Sequence, residues 1–330
     1  MIIKAFVPAP RHRLKTVAIG LMALLTMGAS GPSMAQTFPN KPVTMIVAVS
    51  SPAGDALVRL LAETMTKRTG TSIIVDPKAS GQGVTGLNLT ARAQPDGHTV
   101  GLVFTGSFIV TPMMSAGVAY HPIKDFDAVT RTWGFNIGFV ASPAIPVKSF
   151  GELIAMAKAK PGSLRVGYPG ATNKIALALI RSQTGAQFLE VPYGTTPQLQ
   201  AALLGGDVDM VMGAIGSYVP LIKAGKAWPL AVGAIKRESS YPDVPTVAET
   251  VPDFELASWT GAVVPAGTPR DRIGWLNREI LAVTTAPQFR ERILNAALNP
   301  YADTPEEFGA AIRKIFSVYE KVVKQYNITD

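Results

Sequence analysis

The sequence predicts an α/β protein of two doubly wound domains, and three observations carry that expectation. Short apolar runs, suited to strands buried on both faces, alternate with stretches of helical period over most of the chain. The alternation lapses at Ala128–Trp133 and Ile137–Ala141, two strand-like runs with no helix between them, and Phe254 to Val264 reads as a return crossing. The last helical stretch places Phe308, Ile312, Phe316, Tyr319 and Val323 at intervals of three and four, so one face needs a core to pack on. That returns the C-terminus to the first domain. The expected division is a discontinuous first domain, 36–135 with 260–330, and a second domain, 136–259, with the two crossings as a hinge.

Met45 to Val49 is the first strand, and Ser50, Ser51, Pro52, Ala53 and Gly54 break it. From Asp55 a helix follows, with Leu57, Leu60, Leu61, Thr64 and Met65 on one stripe. A strand that runs through a small-residue loop into a helix aims backbone N–H groups at the strand's carboxyl end. Ligands of open α/β sheets sit there, and a helix start favours an anion. Ser72–Val75 and His98–Phe104 are the next strands, with a helix ending near Arg92 between them. Beyond the first crossing the expected helices are 149–159, 172–183, 197–204 and 218–224, and the strands 164–167, 188–191, 208–212 and 229–232. Thr268-Pro269 and Thr304-Pro305 each offer a helix cap with proline at the first turn and an acid after it.

Composition narrows the function. Hydrophobic residues make up 47% of the chain and charged residues 16%, which fits a folded globular protein. Half of the formal charge of +8 comes from Lys4, Arg11, Arg13 and Lys15. These bases precede an apolar core, Val17 to Met27, and Ser33-Met34-Ala35 supplies small residues for cleavage, so residues 1–35 read as a signal peptide. That core is short of the roughly twenty residues a membrane span needs. With no block of bases among aromatics, nucleic acid is not an expected partner. The chain has no cysteine, which removes disulfides, thiolate chemistry and a lipid anchor. The expected location is the periplasm, with a secreted product as the alternative.

Chemistry-bearing motifs are few. Gly81-Gln82-Gly83-Val84-Thr85-Gly86 matches the dinucleotide pattern in letters, but it follows the second strand and lacks the acid that should end a later one. Close helix packing is the simpler account. His98 and His121 stand far apart, and neither Ser107 nor Ser217 sits in a nucleophile elbow, so neither a cofactor, a metal nor catalysis is expected. The loops after strands look more like binding surfaces: Ser50, Ser51, Ala53, Gly54 and Asp55; Thr105 and Ser107; Gly170, Ala171, Thr172, Asn173 and Lys174; Tyr193 and Thr195. Ordinary helix capping competes for each hydroxyl and for Asp55, and a solvated surface position competes for Lys174.

Several stretches together are similar to one family: Phe38-Pro39-Asn40-Lys41-Pro42, Gln94-Pro95-Asp96-Gly97-His98-Thr99, Lys124-Asp125-Phe126, Val191-Pro192-Tyr193, Leu203 to Asp209, Tyr241 to Glu249, Ser258-Trp259 and Pro265 to Pro269. The chain resembles the Bug-type substrate-binding proteins of tripartite tricarboxylate transporters over essentially its whole mature length. The resemblance implies a Venus-flytrap fold, as in periplasmic binding proteins, a monomer that closes on a small carboxylate, and a membrane permease as partner. A sensor protein of the same fold, reporting to a signalling partner, is the alternative, and an exported α/β enzyme a further one. The contact loops depart from the family pattern. Ala48 to Asp55 lacks the usual aromatic and paired glycines, Lys174 stands near a common His, the loop after Tyr193 lacks its usual base, and Gly213 stands where an Asp is frequent.

Overall fold

The structure is a computed structural model that describes residues 1–2, 37–48, 52–78, 80, 83–115, 117–234, 237, 241–252, 254–296 and 298–328. The expected signal peptide beyond Met1 and Ile2, with its cleavage point, lies outside the described residues, as do Val49, Ser50 and Ser51. Lys41–Asp330 form one compact unit. No helix among the described residues is long and apolar enough to cross a membrane.

In chain order the elements are β1 (Val43–Val47), α1 (Pro52–Thr69), β2 (Ile73–Pro77), α2 (Val84–Ala91), β3 (Thr99–Phe104), α3 (Thr111–Met114), β4 (Phe126–Ala141) and α4 (Phe150–Ala159). They continue with β5 (Arg165–Pro169), α5 (Gly170–Thr184), β6 (Leu189–Tyr193), α6 (Thr196–Gly205), β7 (Met210–Ala214), α7 (Val219–Lys223) and β8 (Trp228–Val232). The chain ends with β9 (Ala257–Pro265), α8 (Arg270–Thr284), α9 (Pro287–Asn295), β10 (Asn299–Pro300) and α10 (Pro305–Tyr326). A π-helical turn, Gly106–Val110, leads from β3 into α3.

The strands lie in the order β2-β1-β3-β9-β4-β7-β5-β6, with β8 and β10 each paired to β4. Two parallel triplets, β1 to β3 and β5 to β7, match the expected β/α alternation. Between them β9 and β4 run antiparallel, so the sheet is mixed and not parallel throughout. The two runs expected on either side of Gly134 are one strand of 16 residues. Gly134 does not break it because it pairs with Trp259 on one side and Asn299 on the other. β4 pairs with β9 as far as Asn136 and with β7 from Ile137, so one strand serves both halves of the sheet. Two register shifts in the β4–β9 ladder, before Thr130 and before Trp133, bend it.

Each half has an aromatic centre. Trp259 on β9 meets Phe308 of α10 edge-on at 5.0 Å and Phe108 at 6.5 Å. On the other side Phe139 of β4 meets Phe150 at 5.0 Å and Phe254 at 6.4 Å. All six side chains are buried, and each contributes about 1.5–3 kcal/mol by leaving water.

α10 fastens the tail. Thr304 accepts from the Glu307 N–H at 3.2 Å while the Glu307 carboxylate accepts from the Thr304 N–H at 2.8 Å, with Pro305 in the first turn. The cap expected at Thr268 does not form: its hydroxyl donates to the Pro265 carbonyl at 2.7 Å, and α8 starts after Pro269. α10 also reaches the second half, where the Arg181 guanidinium of α5 lies 4.2 Å over the Tyr326 ring and Ser182 donates to Gln325 at 3.3 Å.

Candidate functional site

The carboxyl ends of β1, β2 and β3 are drawn together by glycine. A Cβ added at Gly83 would lie 2.5 Å from the Ala48 carbonyl oxygen and 3.2 Å from the Ser107 Cβ, and Gly83 has a φ of +93°. The described part of the dinucleotide-like stretch therefore lets α2 descend onto the end of β1, a packing role.

Thr105 and Ser107 sit in the turn after β3. Thr105 is fully buried, and its hydroxyl accepts from the Trp259 N–H at 2.9 Å and donates to the Trp259 carbonyl at 3.2 Å. It ties β3 to β9. Ser107 Oγ donates to the Phe104 carbonyl at 3.2 Å, and the Ser107 carbonyl accepts from the buried Tyr120 hydroxyl, whose pKa burial pushes well above the ordinary tyrosine value. Of the first loop, Gly54 and Asp55 are half-buried in the first turn of α1, Ala53 is described by its backbone alone, and Ser50 and Ser51 lie outside the described residues.

Across from that turn, α5 opens at Gly170 with a φ of +69°. Thr172, in its first turn, comes within 3.4 Å of a Cβ built on Gly106. The ends of the two parallel triplets meet there. Asn173 is buried, its amide donates to the Pro169 carbonyl, and its Oδ1 is buried without a hydrogen-bond partner. Ala171 is described by its backbone alone. Lys174 acts on Glu190 of β6: burial raises that carboxyl's pKa, and Arg181 and Lys174 pull against the rise.

Tyr193 ends β6 half-buried, its ring 3.4 Å from a Cβ placed on Gly167. Thr195 caps α6, accepting from the Gln198 N–H at 3.5 Å and donating to Gln198 Oε1 at 3.1 Å. Of the residues expected at the site, Thr105, Ser107 and Thr195 commit their hydroxyls to the scaffold, while Thr172 is brought to the meeting of the two halves.

Sequence reasoning passed over two features. At the end of β7, a Cβ on Gly213 would lie 3.0 Å from the Tyr218 hydroxyl, which is buried without a partner. The tyrosine takes the space that a side chain at 213 would need. The other is a cavity of about 180 Å³ where Phe104 of β3 faces Phe135 of β4, ring centroids 6.0 Å apart, beside Val47, Gly54 and Trp133. Its only signal was the alternation Leu102/Phe104 and Trp133/Phe135 on two strands far apart in sequence.

A family model described as the tripartite tricarboxylate transporter family receptor, TctC, matches residues 57–328. The chain belongs to this family. This receptor is 27% identical to protein BugT of Bordetella pertussis over 308 residues, 92% of this chain and 94% of the relative. Among solved structures, a TctC solute binding protein from Polaromonas, without ligand, is 25% identical with a TM-score of 0.79, covering 88% of this chain and all of that one. An R. palustris protein with adipate is 26% identical with a TM-score of 0.69, covering 88% and 99%. These establish the fold class of the receptor as that of periplasmic solute-binding proteins.

Proposed function

We propose that the protein is an exported periplasmic receptor that closes on a small organic carboxylate and delivers it to a permease of the tripartite tricarboxylate type. The observation that carries this reading is the meeting of two sets of strand ends at Gly106 and Thr172, in a chain of the receptor family. A similar protein has been solved with adipate, a dicarboxylate. The starts of α1 and α5 present the positive ends of two helix dipoles toward that region, and a carboxylate is the charge they favour.

In this reading the ligand lies among Gly54, Asp55, Ser107, Gly170, Thr172 and Tyr193, with Ser50 and Ser51 completing the first loop. The domains are 36–135 with 260–330 and 136–259, each binding from its own loops, and rotation is absorbed where β4 and β9 pass between them. Tyr218 in the space beside Gly213 replaces the acid frequent there, which removes one source of repulsion toward an anion.

A thermal-shift panel of mono-, di- and tricarboxylates, amino acids, sugars and aromatic acids tests the reading. A ligand that binds only the folded state adds about 2.7 kcal/mol at a hundredfold excess over its Kd, an easily visible shift. At least one carboxylate should raise the melting temperature. A response to neutral sugars with none to any carboxylate would reject it.

A further inference from the structure

The cavity between Phe104 and Phe135 has the composition of a place for something apolar. About 180 Å³ is lined by eleven described residues, among them Val47, Val58, Trp133 and Leu298. None of the eleven is charged, and Thr260 supplies the single hydroxyl. Both phenylalanines are only half-buried, so their facing rings, inclined at 30°, are left incompletely covered. An apolar cavity of about 150 Å³ holds benzene and stays dry otherwise, because water finds too few partners in it. One six-membered ring or a branched alkyl group fits this one.

The cavity also adjoins a charge. Gly54, in the first turn of α1, is one of the lining residues, so the positive end of that helix's dipole borders an otherwise uncharged space. An acid whose apolar body entered the cavity would bring its carboxylate to that helix end. A second carboxylate on the same body would have to lose its water among uncharged side chains, and an unpaired charge is costly to bury.

We infer that this cavity takes the apolar body of the ligand, and that the preferred ligand is a monocarboxylate carrying a ring-sized apolar group. The inference rests on the carboxylate-receptor reading and adds the substrate class to it. Phe104, Phe135 and Val58 then set specificity, and residues of the strand-to-helix loops set charge.

Calorimetric titration of the purified protein with benzoate, phenylacetate, malate and citrate decides it, together with two cavity-filling variants, Val58→Phe in α1 and Leu298→Phe in the loop before β10. Benzoate or phenylacetate should bind at least tenfold tighter than malate or citrate, and a filling variant that keeps a cooperative melt should weaken the aromatic acid at least tenfold. If Val58→Phe fails to fold, Leu298→Phe, at a half-buried loop position, carries the test. Tighter binding of malate or citrate, or an aromatic acid whose affinity neither variant changes, overturns the inference and leaves the receptor reading standing. Binding of none of the four, with a response to neutral sugars in the wider panel, overturns both.

Discussion

Glu190 shows how burial and charge divide a single side chain. It is half-buried on β6, and burial raises its pKa more than Arg181 and Lys174 lower it. A carboxyl with a raised folded pKa binds its proton more tightly in the folded chain than in the unfolded one. That contribution is fully present below the ordinary carboxylate pKa and is lost as pH rises through the folded value. Glu190→Gln, neutral throughout, should therefore raise the melting temperature at pH 7 and lose that advantage at pH 4. Melting curves at both pH values check this, and a variant less stable at pH 7 would contradict it. Side chains of this kind were the least legible in the sequence. Lys174 reads as a second contact for an anion because it follows Gly170 by four positions, whereas its electrostatic influence on Glu190 of β6 is not legible from sequence spacing. Thr105 and Thr195 were legible as residues at strand ends. That their hydroxyls are taken by Trp259 and Gln198 depends on a partner 154 residues away in one case and on a local cap in the other.

Elements fared better wherever the signal was local. The capping box at Thr304 reads directly from Thr-Pro-Glu-Glu, and the structure forms it with both reciprocal hydrogen bonds. Thr304→Ala should cost about 1 kcal/mol, measured as a lower midpoint in urea with an unchanged slope. A loss no larger than that of an exposed alanine elsewhere on α10 would show that tertiary packing alone holds the helix start. The related pattern Thr-Pro-Arg-Asp failed at Thr268, whose hydroxyl turns back to Pro265. β4 was legible in both its parts and not in its continuity, because a glycine that looks like a break is harmless where both neighbouring strands pair with it. β10, two residues long, has no periodicity to read. The cavity between Phe104 and Phe135 follows from β3 and β4 lying two strands apart across β9, a non-local arrangement that no window of sequence contains.

At the scale of the whole molecule, the proposal of a hinge makes a prediction about size. If the two crossings absorb a rotation, saturation with a confirmed ligand should reduce the radius of gyration seen by small-angle scattering. α10 bears on how far. It packs on β4 and, through Phe308, on Trp259 of β9, and it also grips α5 through Tyr326, so in this proposal it would ride with the crossings and limit travel. An unchanged radius at saturation would mean a fixed cleft. The strand order has a further consequence, for synthesis. β9 lies between β3 and β4, yet it is made after both and after the entire β5 to β8 segment. A growing chain therefore holds two edges with nothing to join them until Pro265 has been added. Non-local pairing of this kind forms slowly, and under the proposed export that slowness would be useful: the nascent polypeptide would stay threadable until β9 exists.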